Sequence, residues 1–236
     1  MKKFSILTWI IILVTLIPVL QSCLDTDDDN YLVTCPEGTQ LALGTVIVPD
    51  ANSPREFYFA LDKGITVFPG DTTAFNNYKV KDGQRAFIGY LPKMEPIEGY
   101  DINAIIYSVE DILTKNIIPL TEETADSIGN DGINLTAYLI NKDYLTLEYQ
   151  YLGSMNANKK HMLNLVVNQT DNKDREEGYI CLEFRHNAFD DIPLSPVNGI
   201  VSFKLNNIRE EMKDKKGLKI RVPTVYDGVQ DYKVNF

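Results

Sequence analysis

The chain has 236 residues, 44% of them hydrophobic, enough apolar material for one large core or two small ones, which excludes a disordered polymer. Its formal charge of −10 becomes −12 when the segment carrying Lys2 and Lys3 is removed, and so acidic a body argues against a nucleic-acid partner, because phosphate neutralisation needs clustered Lys and Arg. Tyr (13) and Phe (10) are plentiful while Trp occurs once, a composition that favours strands over helices.

Residues 1–22 read as a signal peptide. Met1-Lys2-Lys3 is a basic start, and Phe4 to Leu20 is almost wholly apolar. Leu20-Gln21-Ser22-Cys23 resembles the bacterial lipobox, although Gln21 stands where a smaller residue is usual. The resemblance makes Cys23 the lipidated N-terminus of the mature chain, held to a membrane by its acyl chains at about 0.8 kcal/mol per buried CH₂. A transmembrane helix is the competing reading. The apolar run lies at the short limit for spanning, and Pro18 interrupts it.

Residues 23–38 read as a tether. Leu24-Asp25-Thr26-Asp27-Asp28-Asp29-Asn30 is too charged to fold and should extend by self-repulsion. Asp25, Asp27 and Asp29 alternate like calcium ligands, but Asn30 stands where that loop needs Gly, and Pro36 stands where it needs its bidentate Glu. No metal site is expected there. Cys35 and Cys181 either pair or stay as two thiols, because sequence spacing alone does not show proximity.

Residues 39–109 read as an all-β domain with five strands at Leu41–Val48, Glu56–Leu61, Ile65–Phe68, Arg85–Leu91 and Ile102–Val109. Phe57, Phe59 and Leu61 alternate with Tyr58 and Ala60, the signature of a half-buried strand. Turn chemistry at Pro49-Asp50-Ala51-Asn52, Asp62-Lys63-Gly64, Pro69-Gly70-Asp71 and Asp82-Gly83 separates the strands. Five short antiparallel strands predict a barrel like the oligonucleotide/oligosaccharide-binding (OB) fold, though without the helix that often follows its third strand.

Residues 110–132 read as a linker with a short helix, capped by Thr121, acidic at Glu122 and Glu123, and ended by Gly129. Residues 133–236 alternate more cleanly. Leu145, Leu147, Tyr149 and Tyr151 form one apolar face, and Ile180, Leu182 and Phe184, Val201, Phe203 and Leu205, and Leu218, Ile220 and Val222 form others. About seven strands with one polar face each predict an immunoglobulin-like β-sandwich.

Chemistry-bearing patterns are sparse. There is no Cys-x-x-Cys, no His cluster, no phosphate-cradling Gly-rich loop and no dinucleotide fingerprint, so neither metal nor cofactor is expected. His161 opens a strand. His186 lies near Asp190, Asp191 and Ser195, but a triad is defined by geometry, and a backbone hydrogen bond is the plainer role for it. The carboxylate pairs Glu122/Glu123, Glu176/Glu177 and Asp190/Asp191 are sequence neighbours, which a strand turns to opposite faces. No catalytic residue is assigned. Tyr58, Tyr90 and Tyr100 are the candidate exposed aromatics for a glycan or a protein ligand.

The lipobox and its acidic tail, followed in order by FYFALDKGITVFPG, GQRAFIGY, DILTKNIIPLTEETADSIGND, YLTLEYQY, YICLEFRHNAFDD and GIVSFKL, together resemble the NigD-like lipoproteins of Bacteroidetes. The resemblance implies an N-terminal OB-type domain and a C-terminal β-sandwich. The acidic tract itself resembles the export signal that sends Bacteroidetes lipoproteins to the outer face of the outer membrane. Asp71-Thr72-Thr73 and Asp126-Ser127-Ile128 resemble the O-glycosylation sites of exported Bacteroidetes proteins, at Thr72 and Ser127. The expectation is a surface lipoprotein that binds a glycan or protein without catalysis. The alternative implied by the family name is immunity to a bacteriocin or toxin.

Overall fold

The computed structural model describes residues 36–53, 56–73, 78–154, 156, 158–170 and 176–236. The leader, Cys23, the acidic tract and Cys35 lie outside them.

The first domain is a closed barrel of β1 (Gln40–Ile47), β2 (Tyr58–Leu61), β3 (Thr66–Asp71), β4 (Arg85–Pro92) and β5 (Ile102–Asp111), in the order β1-β2-β3-β5-β4. Pairing is antiparallel except between β3 and β5, which run parallel and close the barrel. Period-two alternation decides which side chains go inside. Phe57, Phe59 and Leu61 are buried with Val67, Ile88 and Ile106, whereas Tyr58 and Ala60 face outward. All five expected strands are present, and no helix separates β3 from β4 among the described residues.

The second domain is a sandwich with nine strands among the described residues rather than seven. The two extra strands, β6 (Leu113–Asn116) and β7 (Ile118–Leu120), arise in the segment read as a linker. β6 joins a four-stranded sheet, β6-β12-β9-β8, and β7 joins a five-stranded one, β14-β13-β11-β10-β7. The remaining strands are β8 (Asn134–Ile140), β9 (Tyr144–Gly153), β10 (Met162–Asn168), β11 (Tyr179–Asn187), β12 (Ser195–Lys204), β13 (Gly217–Pro223) and β14 (Val229–Asn235). β6 with β12, β7 with β10 and β11 with β13 run parallel, which a reading by hairpins does not anticipate. The inner faces meet in one core, where Phe184 and Phe203 pack edge-on with ring centroids 6.0 Å apart.

A short helix, α1 (Ala125–Ile128), ends at Gly129, whose positive φ of 76° is one that glycine adopts more readily than other residues. The N-cap is Thr124 and not Thr121. Residues 121–124 first make a turn of their own, in which the Thr124 Oγ accepts the Thr121 N–H at 3.0 Å. A second short helix, α2 (Arg209–Met212), precedes β13.

Barrel and sandwich meet around Arg85, which is fully buried. Its two terminal nitrogens grip Asp62 in a bidentate pair at 2.6 Å each, and one also donates to the Thr45 Oγ. From the sandwich, the Tyr144 ring lies 4.7 Å from the guanidinium carbon, and Asn141 donates to Asp62 at 2.8 Å. Thr146 and Ser202 lie on the polar side of β9 and β12, yet both are buried and hydrogen-bond each other at 2.7 Å. The barrel covers that polar strip where solvent would otherwise lie.

Candidate functional site

The exposed aromatics of the barrel converge on one patch. Tyr58 points outward from β2 and Phe68 from β3, and Tyr100 comes from the loop joining β4 to β5. Ring centroids are 5.2 Å apart for Tyr58 and Tyr100, and 5.1 Å for Phe68 and Tyr100. All three remain partly exposed. The loop is held in place by its neighbours. The Asp101 carboxylate accepts both the backbone N–H and the hydroxyl of Thr66 on β3, at 2.8 Å each. Those bonds hold the exposed Asp101 carboxyl below its ordinary value and fix the residue next to Tyr100. Asn103 donates to the Glu95 carbonyl at 2.9 Å across the same loop. Its amide oxygen lies only 1.9 Å from where a Cβ on Gly70 would be, so a side chain at this bulge of β3 would have to push the Asn103 amide aside.

Of the three tyrosines expected from the sequence to be exposed, Tyr58 and Tyr100 come together and Tyr90 does not. Tyr90 is 4% exposed and belongs to the barrel core. It follows Ala86 and Ile88 on the inward face of β4, and its hydroxyl donates to the Gln40 Oε1 at 2.8 Å. The same alternation that turns Tyr58 outward turns Tyr90 inward, so its burial is readable in the pattern. Phe68 is the member of the patch that the sequence reading places on a strand and no further. The signal for it is its position one residue after Val67, on the outward side.

The two candidate glycosylation positions differ in setting. Ser127 is exposed on α1 and its hydroxyl donates to the Thr124 carbonyl at 2.9 Å. Thr72 is half-buried in a turn where Asp71 accepts both the N–H and the hydroxyl of Thr73.

The two histidines meet at one end of the sandwich. The His161 Nδ1 lies 2.8 Å from the His186 Nε2, and the His161 Nε2 lies 3.0 Å from the Asp191 Oδ2. The His186 Nδ1 donates to the Gly132 carbonyl at 3.2 Å, which is the backbone role expected of it. Tyr151 stacks on both rings at 4.2 and 4.8 Å. His161, His186 and Asp191 are all nearly buried, and no hydrogen bond among the described residues joins Ser195 to them. The Ser154 backbone N–H donates to the Asp191 Oδ2 at 2.8 Å, and this bond helps to hold Asp191 well below the usual carboxylate range. Burial pulls His186 below the usual imidazole range.

Cys181 is half-buried and its sulfur accepts the Glu176 N–H at 3.4 Å.

Similarity to known proteins follows the same two domains. The NigD-like N-terminal OB domain matches residues 43–112, and the NigD-like C-terminal beta sandwich domain matches residues 116–236. Among solved structures, a protein of unknown function from Bacteroides vulgatus is 27% identical, with a TM-score of 0.72 over 84% of this chain and 90% of that one. A protein from Parabacteroides distasonis, named as toxin-related, is 25% identical with a TM-score of 0.67 over 84% and 93%. A NigD-like immunity protein from Bacteroides caccae shares the fold at 18% identity, with a TM-score of 0.61 over 87% and 94%. No curated protein matches the chain. With the barrel matched by one domain of the family and the sandwich from residue 116 onward by the other, the chain belongs to the NigD-like proteins.

Proposed function

We propose that this protein is a lipoprotein anchored through Cys23 in the outer membrane and exposed at the cell surface, where it binds a glycan without catalysis. The observation that carries the binding reading is the platform of Tyr58, Phe68 and Tyr100. It occupies strands β2 and β3 and the β4–β5 loop, the surface with which five-stranded barrels of this kind hold oligosaccharides or oligonucleotides. Charge favours the sugar. The chain is strongly acidic, and Glu98 and Asp101 flank Tyr100 in sequence, so phosphates would be repelled while sugar hydroxyls would find acceptors.

The test is retention of glycans by the full-length protein on an array. Tyr58→Ala and Tyr100→Ala should each weaken retention about tenfold, equivalent to ~1.4 kcal/mol. Tyr226→Ala, at a residue 70% exposed on the sandwich, should leave it unchanged. Retention of a protein by the same three side chains would reassign the platform to a protein partner. Retention of neither overturns the reading.

A second reading is immunity to a toxin, supported by the 25% identical relative that is named as toxin-related. It expects cells lacking the gene to become sensitive to a co-resident strain. Unchanged sensitivity to every such strain would count against it.

A further inference from the structure

We propose that His161 and His186 together hold one extra proton in the folded protein at neutral pH, and that this proton locks the segment 187–194 against the end of the sandwich. Hydrogens can be counted along a chain of three contacts: Asp191 Oδ2 to His161 Nε2, His161 Nδ1 to His186 Nε2, and His186 Nδ1 to the Gly132 carbonyl. A carbonyl only accepts, and an ionised carboxylate only accepts. Each contact therefore needs one hydrogen supplied by an imidazole. Three hydrogens on four ring nitrogens is one more than two neutral imidazoles carry. The pair is thus a single cation, and Asp191 is its counter-ion inside the protein.

The surroundings fit that charge state. The groups facing the pair are the Tyr151 phenol ring from β9, the Asp191 carboxylate from the segment after β11, and the Asp131 carboxylate with the Gly132 carbonyl before β8. Among the described residues, no cationic side chain bonds to or stacks on either ring. Asp191 stays ionised because the Ser154 N–H bonds it, and burial keeps His186 from taking a second proton.

What the proton holds is unusual backbone. Phe189 and Asp190 are consecutive non-glycine residues at φ 47° and 58°, a conformation that persists only when the surroundings impose it. Ala188 donates to Asp131 at 2.7 Å on one side of them, and Asp191 is tied to His161 and to the Ser154 N–H on the other. Between and beyond these ties, Phe189, Ile192 and Leu194 present large apolar side chains to solvent. Removal of the proton leaves two hydrogens for three contacts, so that either two ring lone pairs face each other at 2.8 Å, or the Gly132 bond is lost, or the Asp191–His161 tie is lost. The last change frees the segment directly, and the other two loosen the histidine pair that Asp191 is tied to.

The chain contains two histidines, so imidazole ¹⁵N spectra of the full-length protein are directly assignable to this pair. At about pH 7.5, where free imidazole is mostly neutral, three of the four ring nitrogens should be protonated. Two protonated nitrogens would overturn the proposal. Asp191→Asn keeps the size and one acceptor oxygen but removes the counter-charge. In that variant the count should fall to two, and amide exchange across residues 188–194 should quicken at least tenfold. A count that stays at three, or exchange that does not change, overturns the lock.

Discussion

Arg85 and His186 are the residues whose environments make the sharpest predictions. Arg85 is a full charge without solvent contact, tolerable because Asp62 neutralises it and Thr45, Tyr144 and Thr146 surround it. Arg85→Met should therefore strand Asp62 and cost about 3–5 kcal/mol, read from denaturant midpoints at constant slope. The double variant with Asp62→Asn should recover part of that loss, since the orphaned charge is what destabilises. His186 predicts a pH dependence. Its folded value is lowered, mainly by burial, whereas the unfolded chain takes up a proton near pH 6.5. The stability it contributes is whole above about pH 6.5 and is lost as the pH falls toward its folded value, because only the unfolded state then gains a proton. Thermal melts from about pH 7 downward should show the loss, and His186→Phe should flatten that part of the curve by removing the titrating group.

At the level of elements, alternation is the legible signal and long-range pairing is not. The apolar faces of β2, β9, β11 and β13 can be read directly from every second residue, and they form the two cores. Truncating the centre of one, Phe203→Ala, should cost about 3–5 kcal/mol by cavity formation. Gly129 is legible as a helix stop for a conformational reason. Gly129→Ala should cost about 1–3 kcal/mol, since it strains a φ of 76° and sets a Cβ 2.6 Å from that of Asn187. β6 and β7 escape a reading by periodicity because three or four residues are too few to show a period. Pro119, which would break a helix, instead sits in β7 at the edge of the five-stranded sheet, where a missing N–H does little harm. The polar strip of Thr146 and Ser202 reads as solvent-facing by the same rule, and only the position of the barrel explains its burial. For the candidate site, Tyr58 and Tyr100 are legible in the sequence. Their meeting is not, because it depends on a loop held by Asp101 and Asn103.

For the whole molecule, the proposed address depends on residues ahead of the barrel. Cys23→Ser should abolish acylation, seen as the loss of the lipid mass and the release of the protein from membranes. Proteinase added to intact cells should remove the body, and replacement of Asp25, Asp27, Asp28 and Asp29 by Ala should protect it. Continued digestion of that variant would make the acidic tract a spacer without an export role.

The order in which the chain emerges bears on how it folds. The barrel is complete by Asp111, and all of its strand pairings fall between Gln40 and that residue. β6 begins two residues later, yet its partner β12 follows roughly ninety residues further along the chain. An emerging polypeptide can therefore close its first domain while β6 waits as an unpaired ribbon for a strand still being delivered. Slow assembly of the second domain is the consequence, since distant parallel pairing must bear the entropy of a long open loop before any contact rewards it.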